Sequence, residues 1–143
     1  MKKYNYFTTE FALVVHDLII KISGGYPGVK DIGLVESVVG FIKNDKYYPK
    51  FHIKLGHLVY SVAMNHAFND GNKRSAIALG AYFLQINGLD NLVGKFILEM
   101  ENIVIWVVER KISKIMLIKI MKSLVKNGEI SDALKMEIIE RVR

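Results

Sequence analysis

The apolar residues of this 143-residue chain recur at intervals of three and four along most of its length, and only two prolines interrupt them. That spacing places apolar side chains on one face of an α-helix, whereas a half-buried strand needs strict alternation. Pro27 and Pro49 lie in polar or glycine-bearing stretches that are typical of connections. The pattern predicts an all-α protein, a single compact domain of six or seven helices over residues 1–143.

Capping residues mark most ends of the periodic segments. The predicted helices run from Thr8 or Thr9 to Gly24, Asp31 to Gly40, Phe51 to Asn65, Asn72 to Asn87, Leu92 to Val108, 114 to 126 and 132 to 142. The apolar stripe that we expect the first helix to bury comprises Phe11, Val14, Val15, Leu18, Ile19 and Ile22. The fifth helix is apolar almost all round, which predicts a central position. A strand at Ile112–Ile120 is the alternative, since β-branched residues alternate loosely there with Lys and Ser.

Composition excludes several classes of protein. Hydrophobic residues make up 51% and charged residues 24% of the chain, as in ordinary globular domains and unlike disordered or collagen-like chains. The absence of cysteine excludes a disulfide framework, a thiolate zinc site and a cysteine nucleophile, and favours a reducing compartment. The net charge is +6, but the lysines and arginines are scattered, which is typical of solvated surfaces and argues against a nucleic-acid partner.

No segment is typical of export or of membrane insertion. Glu10, His16 and Asp17 interrupt the apolar N-terminal stretch, and no small-residue cleavage site follows it before Gly24. The apolar segment 112–125 contains three lysines, so it lacks the roughly 20 uncharged residues that a membrane span needs. We therefore expect a soluble, cytoplasmic protein with no membrane partner.

One segment, His66 to Arg74, carries chemistry beyond a generic helical domain. Gly71 followed by Asn72 at a helix start leaves free backbone N–H groups at the positive end of a helix dipole, which is an anion site. Lys73 and Arg74 then stand in the first helical turn, where the same dipole repels cations. A bound anion would remove that conflict, so the segment predicts a phosphate site at residues 71–74.

Two neighbouring side chains suit chemistry on a phosphate. Asp70 precedes the turn, and a single carboxylate beside phosphates is the usual way in which proteins hold Mg²⁺; a helix N-cap is the alternative. His66 is the nearby group suited to accept a proton at neutral pH. It also continues the apolar stripe of the third helix, so a buried core histidine is the alternative. Phe68 is expected to anchor the loop in the core.

This segment resembles the signature of the Fic/Doc proteins in its Doc form. The seven specified positions that match are His66, Phe68, Asp70, Gly71, Asn72, Lys73 and Arg74. An upstream stretch is also similar to the family's, at Gly24, Gly25, Gly28, Asp31, Gly33, Leu34, Glu36 and Ser37. The resemblance covers about residues 10–125, which implies a Fic/Doc-like core followed by an extra C-terminal helix at about 129–143.

The resemblance implies a role for each motif residue. His66 would be the general base that activates an incoming hydroxyl, and Asp70 would bind Mg²⁺ or orient the attacking group. Gly71 and Asn72 would cradle the phosphates of ATP. Lys73 with Arg74 would anchor those phosphates by charge-assisted hydrogen bonds.

Two positions favour the Doc branch of the family. Lys73 stands where the adenylylating Fic proteins carry glycine, and Ile77 stands where they carry a second arginine for the terminal phosphate. Similarity to Doc implies a toxin kinase that phosphorylates a Ser or Thr hydroxyl of a cellular protein, a translation elongation factor, and that a partner antitoxin neutralises. Adenylyl transfer through the same site and a non-catalytic nucleotide- or partner-binding module are the alternatives.

The other three histidines do not form a metal site by their spacing. His52 and His57 are five residues apart, which places them on different faces of one helix. We expect these two, and His16, to lie at the surface or to support other residues.

Overall fold

The computed structural model describes residues 3–143, and the fold there is built from α-helices. They are α1 (Thr9–Ser23), α2 (Ile32–Phe41), α3 (Phe51–Met64), α4 (Asn72–Ile86), α5 (Val93–Val108), α6 (Lys114–Asn127) and α7 (Asp132–Val142), with a 3-10 turn at Asp90–Leu92 before α5. In this part of the chain the extended backbone forms one isolated bridge, between Val29 and Phe68. The all-α prediction is confirmed. The strand alternative for residues 112–120 is wrong, because α6 occupies that segment.

Side-chain caps explain where three helices begin. The hydroxyl of Thr8 accepts a hydrogen bond from the Phe11 N–H at 3.0 Å, and Ser113 and Ser131 cap α6 and α7 in the same way. Asp31 stands at the N-cap of α2 without a capping bond from its side chain. Gly40 does not end that helix, which continues to Phe41.

Helix α3 lies at the centre of the domain. The prediction that α5 would be central is wrong. Ten of the fourteen residues of α3 are buried, since the helix packs against α2, α4, α5 and α6. Only five of the sixteen residues of α5 are buried, and Leu98 on its outer side is 64% exposed. An apolar surface all round a helix is therefore not sufficient evidence of a central position, because α5 is covered on one side only.

The predicted inward stripe of α1 is also wrong in part. Val14, Leu18 and Ile22 are all more than half exposed, whereas the fully buried residues of α1 are Ala12 and His16. The helix packs against α4 through the face that carries this alanine and histidine. A polar residue therefore occupies one of the two most buried positions of α1, and Val14, Leu18 and Ile22 lie at its surface.

The C-terminal helix packs onto the core through Leu134 and Ile138, which are both buried. The buried hydroxyl of Ser123 ties the turn that precedes this helix, since it donates to the Glu129 carbonyl at 2.7 Å and accepts from the Ser131 N–H at 3.0 Å. Trp106, on α5, lines a groove between α5 and α7. Helix α7 is therefore part of the same core as α1 to α6.

Among residues 3–143, no helix has both the length and the apolar character to cross a bilayer.

Candidate active site

The motif segment forms the loop between α3 and α4, and this loop lines an open cavity of about 370 Å³. The residues lining the cavity are Ala63, His66, Asn69, Asp70, Gly71, Asn72, Lys73, Arg74 and Val108. All six residues predicted to form the site therefore meet at one cavity.

His66 lies at the surface and not in the core. Helix α3 ends at Met64, and His66 follows with a φ of 53°, a left-handed backbone conformation that is uncommon outside glycine. This turn takes the imidazole out of the apolar stripe of α3 and exposes it beside the cavity. Within residues 3–143 the ring has no hydrogen-bond or ion-pair partner, so both of its nitrogens are available to a bound group.

Asp70 is a half-exposed carboxylate held by two backbone donors. Its Oδ2 accepts from the Tyr26 N–H at 3.1 Å, and its Oδ1 accepts from the Gly71 N–H at 2.8 Å. These two bonds, together with the nearby cations Arg74 and Lys73, lower the pKa of Asp70 below its ordinary value. The N-cap position of α4 belongs to Gly71, with a φ of 77°, so the N-cap alternative for Asp70 is wrong.

Residues 24–30 cross the loop and are bound to it by backbone hydrogen bonds; we call this segment the strap. The Asn69 N–H donates to the Gly28 carbonyl at 3.1 Å, and the Lys30 N–H donates to the Ala67 carbonyl at 2.8 Å. A Cβ atom added at Gly25 would lie 2.6 Å from Oδ2 of Asp70. The strap therefore approaches the carboxylate more closely than any residue with a side chain would allow.

The side chain of Asn72 is a structural clamp. Its Oδ1 accepts from the Phe68 N–H at 3.1 Å, and its Nδ2 donates to the Phe68 carbonyl at 3.0 Å. Both ends of the amide are thereby used within the protein. What Asn72 can offer to a phosphate is its backbone N–H, since the first bond of α4 runs from the Ser75 N–H to the Gly71 carbonyl.

Arg74 and Lys73 have different surroundings. The Arg74 guanidinium donates to the Gly24 carbonyl at 2.9 Å and to the Ser23 hydroxyl, at the negative end of α1, and it lies 3.8 Å from Asp70. The protein itself thus relieves the electrostatic conflict that we expected for Arg74. Lys73 is exposed and has no such partner in residues 3–143, so the electrostatic argument for a bound anion rests on Lys73 and on the free N–H groups of α4.

The donor set fits one mode of magnesium binding. Among residues 3–143, no cluster of three or more His, Asp or Glu side chains could enclose a metal ion. Mg²⁺ commonly takes one or two carboxylates and completes its shell with phosphate oxygens and water. The single, half-exposed Asp70 beside the N-terminus of α4, where we predict a phosphate, suits that mode.

Sequence reasoning did not identify His16 as part of this site. Its Nε2 lies 2.6 Å from the Asp70 carbonyl oxygen, and its ring is fully buried. His16 follows Ala12 at a spacing of four on α1, so the signal was a polar residue at helical spacing from a small one, beside the predicted apolar stripe and not within it. His52 and His57 do not line the cavity.

The chain matches the Fic/DOC family over residues 6–84, which extend from before α1 nearly to the end of α4. It is 33% identical over 88 residues to Protein kinase doc of Escherichia phage P1, covering 59% of this chain and 69% of that relative. It is 41% identical over 70 residues to Toxin Doc of Mycolicibacterium smegmatis, covering 46% of this chain and 54% of that relative. The matched region contains the whole cavity loop and the strap, and the chain belongs to the Fic/DOC family.

Proposed function

We propose that this protein is a Doc-type kinase, which transfers the γ-phosphoryl group of Mg·ATP to a Ser or Thr hydroxyl of a cellular protein. One observation carries the proposal. A single cavity presents the unpaired imidazole of His66, the ionised carboxylate of Asp70 and the N-terminus of α4 with Lys73. A base, a magnesium ligand and a phosphate cradle are what phosphoryl transfer requires.

The N-terminus of α4 is the expected phosphate-binding element. The N–H groups of Asn72, Lys73 and Arg74 precede the first intrahelical bond and are available to phosphate oxygens. The Lys73 ammonium adds a positive charge from solvent. Mg²⁺, held by Asp70, would neutralise charge on the phosphates and help to align them.

His66 completes the reaction. Its imidazole takes the proton of the attacking hydroxyl, and the hydroxyl oxygen forms a bond to the γ-phosphorus. The bond between that phosphorus and the β,γ-bridging oxygen breaks, and ADP leaves with both bonding electrons. The protein substrate gains the phosphoryl group, and His66 releases its proton to solvent.

Two side chains favour γ-phosphoryl over adenylyl transfer. Lys73 projects from the position where close backbone approach to the nucleotide would favour glycine. Ile77 is half-buried against the core and does not line the cavity, so this position supplies no second cation for the terminal phosphate. The relative named Protein kinase doc supports the same choice.

The name of the second relative, Toxin Doc, supports a role as a toxin. We propose that the chain acts in the cytoplasm as a toxin, that a cognate antitoxin restrains it, and that a translation elongation factor is a candidate target.

Radiolabelled ATP tests the proposal directly. The purified protein is incubated with a cell lysate, and separately with elongation factor, in the presence of γ-³²P ATP or α-³²P ATP. We expect label on protein from the γ position alone. Label from the α position would replace the kinase with an adenylyltransferase, and no label from either would leave a binding module.

Replacement of His66 tests the base. His66→Ala should lower transfer by roughly 10²–10⁴ while ATP binding, measured by calorimetry, stays nearly intact. His66→Asn is the matched variant, because asparagine tolerates the left-handed backbone at this position but supplies no base. Transfer at the wild-type rate by either variant would show that His66 is not the base.

A further inference from the structure

His16 is a fully buried polar residue that the proposed reaction does not use. Its ring stacks on Phe68 with centroids 3.9 Å apart and planes 5° from parallel. Its Nε2 lies 2.6 Å from the carbonyl oxygen of Asp70. A carbonyl oxygen only accepts, so the Nε2 atom carries the hydrogen and donates it.

The other ring nitrogen has no hydrogen-bond partner. Nδ1 is buried, and the nearest carboxylate oxygen, on Asp17, is 3.9 Å away. An unpaired buried nitrogen is unfavourable, and an apolar ring of the same shape would avoid that cost. Stacking alone would therefore favour phenylalanine at this position. What histidine adds is the single hydrogen bond donated by Nε2–H.

This bond fixes one particular peptide group. The carbonyl of the Asp70–Gly71 peptide accepts from His16, and the N–H of the same peptide donates to the Asp70 carboxylate at 2.8 Å. The peptide is thus held at both ends, and its orientation determines where the carboxylate lies. The next residue, Gly71, is the left-handed N-cap from which α4 begins.

The close packing of α1 against this turn supports the same role. A Cβ atom at Gly71 would lie 3.1 Å from Cδ1 of Ile20 and 3.5 Å from Nε2 of His16. The face of α1 that carries His16 and Ile20 therefore packs closely against this turn. His16 holds the loop at two points, through Phe68 by stacking and through Asp70 by hydrogen bonding.

We propose that His16 is a positioning residue, which acts through the Asp70–Gly71 peptide to orient the Asp70 carboxylate and the N-terminus of α4 toward the phosphates of Mg·ATP. The catalytic consequence rests on the proposed kinase function. The geometric part, that His16 holds this peptide, stands without it.

Two variants separate the hydrogen bond from the stacking. His16→Phe keeps an aromatic ring on Phe68 but supplies no donor, whereas His16→Gln keeps an N–H donor and loses the ring. We expect His16→Phe to raise the KM for Mg·ATP and the Mg²⁺ concentration for half-maximal rate, with kcat/KM falling about 10–100-fold. His16→Gln should recover most of that loss although it gives up the stacking.

Ile138→Val, in the distant α7, is the control for general destabilisation and should leave both constants unchanged. A His16→Phe enzyme with wild-type KM and Mg²⁺ dependence would overturn the proposal. So would a His16→Gln enzyme as impaired as His16→Phe, because the role would then be packing.

Magnetic resonance tests the geometry without substrate. The wild-type protein should show a slowly exchanging His16 Nε2–H resonance, and His16→Phe should shift the Gly71 amide and speed its exchange with solvent. An unchanged Gly71 amide overturns the proposal whatever the activity. If the wild-type protein transfers no phosphate but His16→Phe still changes the Gly71 amide, the kinase function is contradicted. The role of His16 in holding the peptide then stands.

Discussion

At the scale of single residues, Gly24 and Gly25 offer a matched pair within the strap. Both have positive φ, of 87° and 120°, so alanine at either position is strained. Nothing lies within 4 Å of a Cβ at Gly24, whereas a Cβ at Gly25 would lie 2.6 Å from the Asp70 carboxylate. The two positions therefore separate backbone strain from contact with the site.

We predict that Gly25→Ala displaces the strap from Asp70 and weakens Mg²⁺-dependent ATP binding, because the Tyr26 N–H can no longer reach the carboxylate. Gly24→Ala should cost only the strain of an extended backbone with positive φ, about 1–3 kcal/mol of stability. Thermal unfolding measures the strain in both variants, and calorimetric titration with Mg·ATP measures the binding. Equal binding by the two variants would contradict a specific role for the strap at Asp70.

Lys73 is the residue whose replacement tests the pose of the nucleotide. Lys73→Gly removes both the exposed ammonium and the side chain that limits backbone approach. We predict that γ-phosphoryl transfer falls and that labelling from α-³²P ATP begins. Lys73→Met, which keeps much of the bulk without the charge, should lose γ-transfer and gain none from the α position. Unchanged γ-transfer by Lys73→Gly would assign the choice of pose to Ile77 instead.

At the scale of the helices, the sequence was sufficient for the boundaries and insufficient for the packing. Local signals such as the hydroxyls of Thr8, Ser113 and Ser131 act within one turn, so the ends of α1, α6 and α7 could be predicted. Which face of α1 is buried depends on α4, more than forty residues away in the chain. The prediction from apolar spacing alone placed Val14, Leu18 and Ile22 on the buried face, although these residues are exposed.

Ser123 is the residue on which the junction of α6 and α7 depends. Ser123→Ala would leave the Ser131 N–H without its partner and free the Glu129 carbonyl. We predict a loss of about 1–3 kcal/mol in the free energy of unfolding, measured by urea denaturation. Ser37→Ala, at a half-buried serine of α2 with no side-chain hydrogen bond in residues 3–143, should change stability by less. Equal effects would exclude a special role for this hydroxyl.

At the scale of the whole molecule, the site could be predicted in its composition but not in its internal contacts. The nine-residue segment from His66 to Arg74 is contiguous, so the sequence was sufficient to predict the site residues that line the cavity. The contacts of Asp70 with Tyr26 and His16 join positions 44 and 54 residues apart. No local pattern reveals such pairs, and for the same reason the engagement of Arg74 by the end of α1 was not predicted.

The stability of the folded protein should depend on pH through His57. Burial, and then the charge of Lys114 with Nζ 2.8 Å from Nδ1, lower the pKa of His57 to about 4. Ser61, Tyr48 and Phe41 also face this ring. The unfolded chain, with an ordinary histidine pKa of about 6.5, binds a proton more readily, so stability should decrease as pH falls from about 6.5 to about 4.

We predict that His57→Phe flattens this dependence in urea denaturation at pH 7, 5.5 and 4.5. His52→Gln is the comparison, since burial and two lysines also lower the pKa of His52, at a more exposed position. Asp70 also makes the folded protein less stable as pH falls, but only below about pH 4. There the carboxylate takes up a proton more readily in the unfolded chain than in the folded protein, where its pKa is lowered. An equal slope in wild type and His57→Phe would refute the assignment.

Trp106, the only tryptophan of the chain, lines the groove between α5 and α7. Trp106 shares that groove with Ile130 and Ile138, whereas the cavity beside His66 contains neither tryptophan nor tyrosine. Intrinsic tryptophan fluorescence therefore reports the packing of α7 against α5. A shift of its emission during denaturation shows that the groove has opened, whether α7 leaves α5 alone or together with the rest of the fold.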